Sequence, residues 1–498
     1  MKNQVQLITY VDRLGGQRGG TDLIRLKNLL CQDGSPLQGV FGGVHLLPFF
    51  HAIDGADAGF DPIDHTQVDR RLGDWSDVRA LTEGLDVMAD VIVNHMSSAS
   101  PQFLDYLGKG EASTYAGLFL TQDAVFPNGA TEQDLRAIYR PRPGSPFTAV
   151  ALANGERRTL WTTFTAAQID IAVRHPQGRA YLAGILQTFA DNGIRMVRLD
   201  AVGYAIKKAG ASCFMMAETF DFIAEFAAEA KALGIEVLVE IHAYFRRQIE
   251  IASKVDWVYD FALPPLVLHA FSLKTATALK RWLEIRPTNA LTVLDTHDGI
   301  GIIDIGADAS DRAAHPGLVP PEELDALVDR IHLASGGESR RATGAAASNL
   351  DLYQVNCTFF DAMGRDETAY LLARAIQFFL PGVPQVYYVG LLAGHNDMAL
   401  LARSQVGRDI NRHFYDADEI TRDCERPVVR RLIELIKLRN RHTAFCGRFQ
   451  VEASGDDELR LRWQQADEWA QLDINFTSLA HELSYSADGG RTARFAFS

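Results

Sequence analysis

Arg198 and Asp200 stand two residues apart at the end of an apolar run, Gly193-Ile194-Arg195-Met196-Val197. In an extended strand this spacing puts both side chains on one face, a cation beside a carboxylate. The pairing favours the ionised acid, the state a carboxylate nucleophile needs. Alone, it reads equally well as a structural ion pair at a strand end. Two further acids tip the balance: Glu240 closes the run Val237-Leu238-Val239, and Asp298 follows Leu294-Asp295-Thr296-His297. Carboxylates at the ends of several strands are what glycosyl transfer with retention requires. One acts as nucleophile and a second, protonated, as general acid, the two lying about 5–5.5 Å apart. Asp200 suits the nucleophile. Glu240, in an apolar setting near other acids, is expected to have a raised pKa and suits the acid. Asp298 suits holding sugar hydroxyls as positive charge develops on the ring.

The elements that must position these acids alternate along the chain. Strand patterns fall at residues 5–9, 44–47, 87–93, 194–200, 236–240, 257–259, 290–294 and 383–387. Helical patterns fall between or after them, among them 179–192, 219–233, 246–254, 370–379 and 428–439. Eight apolar strands with helical returns predict an α/β fold, a (β/α)8 TIM barrel, whose strand ends converge on one pocket. A doubly wound open sheet is the alternative, but no GxGxxG follows an early strand. Two long Gly- and Pro-containing intervals interrupt the alternation and read as inserted loop domains on the active-site face. The expected division is barrel over 1–93, 175–299 and 364–444, with insertions over 94–174 and 300–363. From residue 445 to 498 the pattern becomes strict alternation, as in Leu459-Arg460-Leu461-Arg462-Trp463, predicting a small C-terminal antiparallel β domain.

A net charge of −14 argues against a general nucleic-acid or anionic-membrane surface. An anionic substrate must then meet a local arginine cluster. The five cysteines are scattered with no metal-ligand spacing. The start, Met1-Lys2-Asn3-Gln4-Val5, runs straight into a strand pattern without a signal-peptide core, and no apolar run is long enough to span a bilayer. A cytoplasmic protein is expected. No GxSxG and no P-loop occur, so serine-hydrolase and nucleotide-driven chemistry have no support.

Four pieces taken in order resemble the α-amylase family of glycoside hydrolases and transglycosylases: Asp90-Val91-Ile92-Val93-Asn94-His95, Val197-Arg198-Leu199-Asp200-Ala201, Val239-Glu240-Ile241-His242 and Leu294-Asp295-Thr296-His297-Asp298. Closer in, the chain is similar to the sucrose phosphorylase branch of that family. That likeness rests on Asp54-Gly55-Ala56-Asp57-Ala58-Gly59-Phe60-Asp61-Pro62, Tyr139-Arg140-Pro141-Arg142-Pro143-Gly144, Ser348-Asn349-Leu350-Asp351-Leu352-Tyr353-Gln354-Val355-Asn356 and Gly407-Arg408-Asp409-Ile410-Asn411-Arg412. It extends to about residue 440 and is weakest in the C-terminal piece.

The resemblance implies reversible phosphorolysis of sucrose to α-glucose 1-phosphate and fructose, with Asp200 as nucleophile, Glu240 as acid/base and Asp298 as transition-state stabiliser. Asp57, His95, Arg198, His297 and Arg412 would hold the glucosyl hydroxyls, with Phe60 as an aromatic platform and Tyr204 and His242 beside the substrate. Arg142, Leu350, Asp351, Leu352, Tyr353 and Gln354 would line the acceptor side, where fructose leaves and phosphate enters; Arg142 is the cation expected to bind phosphate. Singly, His95 and His297 read as core histidines, Phe60 as packing, and Arg140 with Arg142 as a solvated patch; His242 reads equally as a supporting side chain. These alternatives stay open on the acceptor side. Asn94 matches a position the wider family often uses for calcium, but the sucrose phosphorylase branch usually works without metal, and neither metal nor cofactor is expected. The branch also implies a homodimer. A sucrose 6′-phosphate or other α-glucoside phosphorylase, a retaining hydrolase or transglucosylase, and an inactive amylase-like sugar-binding protein are the alternatives. Ser145, where an apolar residue is expected, leaves acceptor preference open.

Overall fold

Short strands buried on both faces read as continuous apolar runs, and here they close on one another. The computed structural model describes residues 1–15, 20–54, 58–140, 144–308, 311–344, 354–487 and 491–497. Strands β1 (Gln6–Thr9), β2 (Gly43–Leu46), β3 (Asp86–Ile92), β4 (Met196–Asp200), β5 (Glu236–Val239), β6 (Trp257–Asp260), β7 (Ala290–Thr292) and β8 (Val383–Tyr387) form a closed parallel barrel in chain order, β8 pairing back to β1. Every residue of β1, β2, β7 and β8 is buried. The (β/α)8 expectation holds, but β7 ends at Thr292 rather than 294 and β5 at Val239 rather than 240. Two of the three acids therefore sit beyond strand ends.

The return helices begin earlier than the apolar periodicity indicates. Those expected from residues 179 and 428 start at Pro176 and Pro427, since proline suits the first helical turn, where its missing N–H costs nothing. The helix expected from 370 starts at Glu367, capped by the Asp366 carboxylate accepting from the Ala369 N–H.

After β3 the chain leaves the barrel to build paired strands, including the hairpin Phe147–Ala151 with Arg157–Trp161. A small apolar cluster of Phe126, Ile138, Trp161 and Cys213 lies apart from the main core. After β7, Ile300–Gly301 pairs antiparallel with Gln354–Val355, ahead of and behind the helix Pro321–Ala334. The chain closes with a five-stranded antiparallel sheet, β9 (Arg448–Glu452), β10 (Glu458–Gln465), β11 (Glu468–Asn475), β12 (His481–Ala487) and β13 (Arg491–Arg494). Leu459, Leu461 and Trp463 alternate inward along β10, and the Trp463 indole N–H donates to the Phe379 carbonyl of a barrel helix at 2.6 Å.

One buried network fixes the segment after β7. On the helix Glu367–Phe379, Arg374 places Nη2 2.5 Å from Asp295 Oδ2, Nη1 3.0 Å from Gln377 Oε1, and Nε 3.1 Å from the Tyr370 hydroxyl. A Cβ on Gly390 would fall 1.8 Å from the same Asp295 oxygen, so only glycine lets the neighbouring turn approach. Asp295 begins the segment that carries His297 and Asp298. Arg374→Met should strand the Asp295 carboxylate and destabilise the fold by roughly 3–5 kcal/mol. The measurement is the urea midpoint, and an unshifted midpoint would show that this pair does not hold the segment.

Candidate active site

Period two along β4 does place Arg198 and Asp200 on one face, with Nη1 3.0 Å from Asp200 Oδ1. Arg198 is only 2 % exposed, and its guanidinium gathers two more acids. Asp90, its register partner on β3, lies beneath at 2.5 Å; Glu240 Oε1 lies 3.6 Å from Nη2. The second Asp90 oxygen meets His45 Nε2 of β2 at 2.9 Å. Burial pushes the Asp90 carboxyl up, but Arg198 and His45 outweigh it and hold it at about 2. Burial alone would lower Arg198; the surrounding carboxylates of Asp90, Glu240 and Asp200 instead raise it well above the ordinary arginine value. The cation is permanent.

Glu240 is the first residue past β5. Its side chain does not enter the apolar setting read from its neighbours. Val239 and Ile241 are buried, while the Glu240 carboxylate faces Arg198 and His242, whose Nε2 lies 3.7 Å away. The flanking aliphatic side chains are buried in the core while the acid between them turns to the cluster, so its neighbours in sequence are not its surroundings in space. The apolar expectation for Glu240 is corrected accordingly.

Asp298 lies six residues beyond β7, on a segment tethered by the Asn411 amide donating to the Thr296 carbonyl at 3.1 Å and by Arg412 Nε donating to the His297 carbonyl at 3.1 Å. Its Oδ1 pairs with Arg408 Nη1 at 2.8 Å. Burial works against its charge, yet Arg408, Arg412 and Arg198 together hold this carboxyl far below the usual range. His297 is held neutral: burial lowers it, and Arg198 and Arg412 add to that against the pull of Asp298. Its ring stacks on Phe60 at 4.9 Å and 11°, and Arg198 Cζ lies 5.5 Å from the Phe60 centroid. Arg412, also 2 % exposed, keeps its buried Nη2 without an acceptor among the described residues.

His95 is buried with Nε2 3.0 Å from the Phe60 carbonyl and 3.1 Å from Gln168 Nε2, so it braces Phe60. Tyr204, on a one-turn helix after β4, joins an aromatic wall with Phe164 at 5.1 Å and Phe214 at 4.7 Å, continuing to Tyr139. Gln354 Oε1 accepts from the Gly299 N–H at 3.2 Å, next to Asp298. Asp57, Arg142, Leu350, Asp351, Leu352 and Tyr353 lie outside the described residues. Ser145 Oγ accepts from the Phe147 N–H at 3.1 Å, a local turn at the start of the hairpin.

At Asn94, the position that matches the wider family's calcium ligand, a lysine ammonium is seated. Lys207 Nζ lies 2.9 Å from Asn94 Oδ1 and 2.9 Å from Asp170 Oδ2 and also donates to the Tyr204 carbonyl; the Asn94 amide donates to Asp170 at 3.1 Å. The Glu240, His242 and Asp298 donor atoms lie within 4.8 Å of one another, but Arg198, Asp304 and Arg408 already engage them. Sequence reasoning singled out neither Asp90, Asp304, Arg408 nor Lys207. Asp90 and Arg408 stood inside motifs already quoted, whereas Asp304 and Lys207 carried no local signal.

Comparison with known proteins places the chain. The family model described as "Alpha amylase, catalytic domain" matches residues 39–245. The chain is 60% identical over 477 residues to sucrose phosphorylase of Agrobacterium vitis, covering 96% of each chain. It is 54% identical over 474 residues to sucrose phosphorylase of Bifidobacterium adolescentis, covering 95% of this chain and 92% of that one. This chain belongs to the sucrose phosphorylase family, within the α-amylase family. The crystal structure of sucrose 6F-phosphate phosphorylase from Thermoanaerobacter thermosaccharolyticum matches with a TM-score of 0.89 and 37% identity, covering 99% of this chain and 98% of that one. Among the described residues, no helix is long and apolar enough to cross a membrane.

The Arg408–Asp298 pair makes a prediction for this family member. Removing Arg408, the strongest of the groups lowering Asp298, should return that carboxyl toward its ordinary value. In the charge-stabilising role that the family resemblance implies for Asp298 a protonated carboxyl is ineffective, so the acid limb of the rate profile in Arg408→Gln should move to higher pH. A pH profile of kcat/KM checks this; an unmoved acid limb would mean that Arg408 does not set the Asp298 charge.

Proposed function

We propose that this chain catalyses the reversible phosphorolysis of sucrose, giving α-D-glucose 1-phosphate and D-fructose by a retaining double displacement. The observation that carries the reading is the single buried guanidinium of Arg198 contacting both Asp200 and Glu240, in a chain closely related to sucrose phosphorylases.

In the first step the Asp200 carboxylate attacks the glucosyl anomeric carbon as the bond to the fructosyl oxygen breaks. Glu240 delivers its proton to that oxygen, and fructose leaves neutral. As positive charge grows on the ring, the ionised Asp298 stabilises it, and neutral His297 adds no opposing charge. Phe60 supplies the apolar platform against His297. The buried N–H of Arg412 is a donor for a sugar hydroxyl. In the second step Glu240, now a carboxylate, takes a proton from inorganic phosphate. A phosphate oxygen attacks the anomeric carbon and Asp200 departs. Two inversions restore the α-configuration. Arg142 is the proposed phosphate cation, and Leu350, Asp351, Leu352, Tyr353 and Gln354 the proposed acceptor-side lining, with Asp57 and His95 on the glucosyl side. The reading carries with it a cytoplasmic homodimer.

A product assay on the purified protein with sucrose, with and without phosphate, tests this. Phosphate-dependent α-glucose 1-phosphate with little free glucose is expected, whereas glucose in both reactions would make the chain a hydrolase. Glu240→Gln should slow turnover of sucrose by roughly 10²-fold or more, because fructose leaves poorly without a proton. The same variant should cleave α-glucosyl fluoride far less impaired. Equal losses with the two donors would contradict the general-acid role.

A further inference from the structure

Behind Glu240 lies a second buried acid that the proposed reaction does not use. Asp304 sits on the one-turn helix Ile303–Ile305, just after the strand Ile300–Gly301, and is fully buried. Both oxygens are engaged. Oδ2 lies 2.9 Å from His242 Nδ1, while Oδ1 accepts from the Gln248 amide at 2.9 Å and from the Ala243 N–H at 3.2 Å. Every donor comes from the segment following β5, so Asp304 clamps the backbone that leaves the acid/base. A Cβ on Gly301 would lie 2.2 Å from Asp304 Oδ2 and 3.1 Å from His242 Nδ1, so a side chain there would break the contact.

The imidazole is restrained on its faces as well. It stacks on Phe261 with centroids 3.9 Å apart at 13°, and its other nitrogen, Nε2, lies 3.7 Å from Glu240 Oε1. The result is a continuous line, Asp304 to His242 to Glu240, running from the inserted segment after β7 to the pocket. We propose that Asp304 is a positioning residue: it fixes the His242 ring with Nδ1–H donated to its carboxylate and presents Nε2–H to Glu240, stabilising the Glu240 carboxylate that exists between the two proton transfers. No proton passes along the line. Glu240 loses its proton to the fructosyl oxygen and regains one from phosphate while His242 keeps both of its own. This rests on the acid/base role proposed for Glu240.

Among the described residues, the charges nearest His242 are of one sign. Asp304 from the insertion, Glu240 from the end of β5 and Asp298 from the segment after β7 all favour its protonated form, and together they outweigh a burial that would lower it. Arg198 stands on the far side of the cluster, against Glu240.

The test is Asp304→Asn, which keeps the size but removes the charge, with His242→Gln and the double variant alongside. In Asp304→Asn the His242 ring should titrate at lower pH than in the wild type, followed by imidazole NMR. Without a neighbouring imidazolium the Glu240 carboxylate loses a cation that stabilises it. Activity on sucrose needs Glu240 protonated, so the alkaline limb of kcat/KM should move to higher pH. The sucrose rate at neutral pH should fall about tenfold or more, with α-glucosyl fluoride less affected. The double variant should be no worse than the poorer single, since both cut one line. An unmoved alkaline limb and additive losses in folded variants would overturn the proposal. Should Asp304→Asn not fold, an unmoved limb in His242→Gln alone would do so. If the wild type makes no glucose 1-phosphate, the phosphorylase reading fails, while the NMR titration still decides whether Asp304 holds the His242 proton.

Discussion

A guanidinium removed from water must be surrounded by compensating charge, and Arg198 meets that constraint with three carboxylates drawn from successive strands. Asp90 below, Asp200 beside and Glu240 above are brought to it by β3, β4 and β5. Removing any one partner of such a buried group leaves an uncompensated charge, so the barrel and the pocket specify each other. Arg198 rather than lysine suits this place because a planar fork can touch several acids at fixed angles while remaining charged.

The second half of the pocket is organised differently. Asp298 is not delivered by a strand. It hangs on a segment whose start is held by Arg374 through Asp295, whose middle is held by Asn411 and Arg412, and whose acid is met by Arg408. All four come from the last fifth of the barrel, residues 374 to 412. The proposed nucleophile thus depends on neighbouring strands, and the proposed stabiliser on the helix before β8 and the loop beyond it. Folding of the whole barrel is needed before the three acids share one pocket.

The barrel was legible because its strands are buried on both faces and read as apolar runs, and because the C-terminal strands alternate strictly. The juxtaposition of Arg198 with Asp200 was legible from period two alone. The surroundings of Glu240 were not: apolar neighbours in sequence point away from it in space, so its local composition misled. Asp304 lies 64 residues from Glu240 inside an insertion, Lys207 follows a turn without a periodic pattern, and neither position carries a signal that a single sequence exposes. Arg408 was visible within its motif, but nothing in the spacing distinguished it from Arg412. Contacts between distant loops are fixed by the barrel that brings them together, and that information is not local.

As the proposed nucleophile, Asp200 becomes covalently glucosylated during turnover. The most direct measurement is peptide-mapping mass spectrometry of the protein quenched during turnover of an α-glucosyl fluoride deactivated by fluorine on the sugar ring, which slows breakdown of the adduct. The account predicts one hexosyl-type adduct, on the peptide containing Asp200, which disappears when phosphate is added before the quench. An adduct on another carboxylate, or none while fluoride is released, would contradict it.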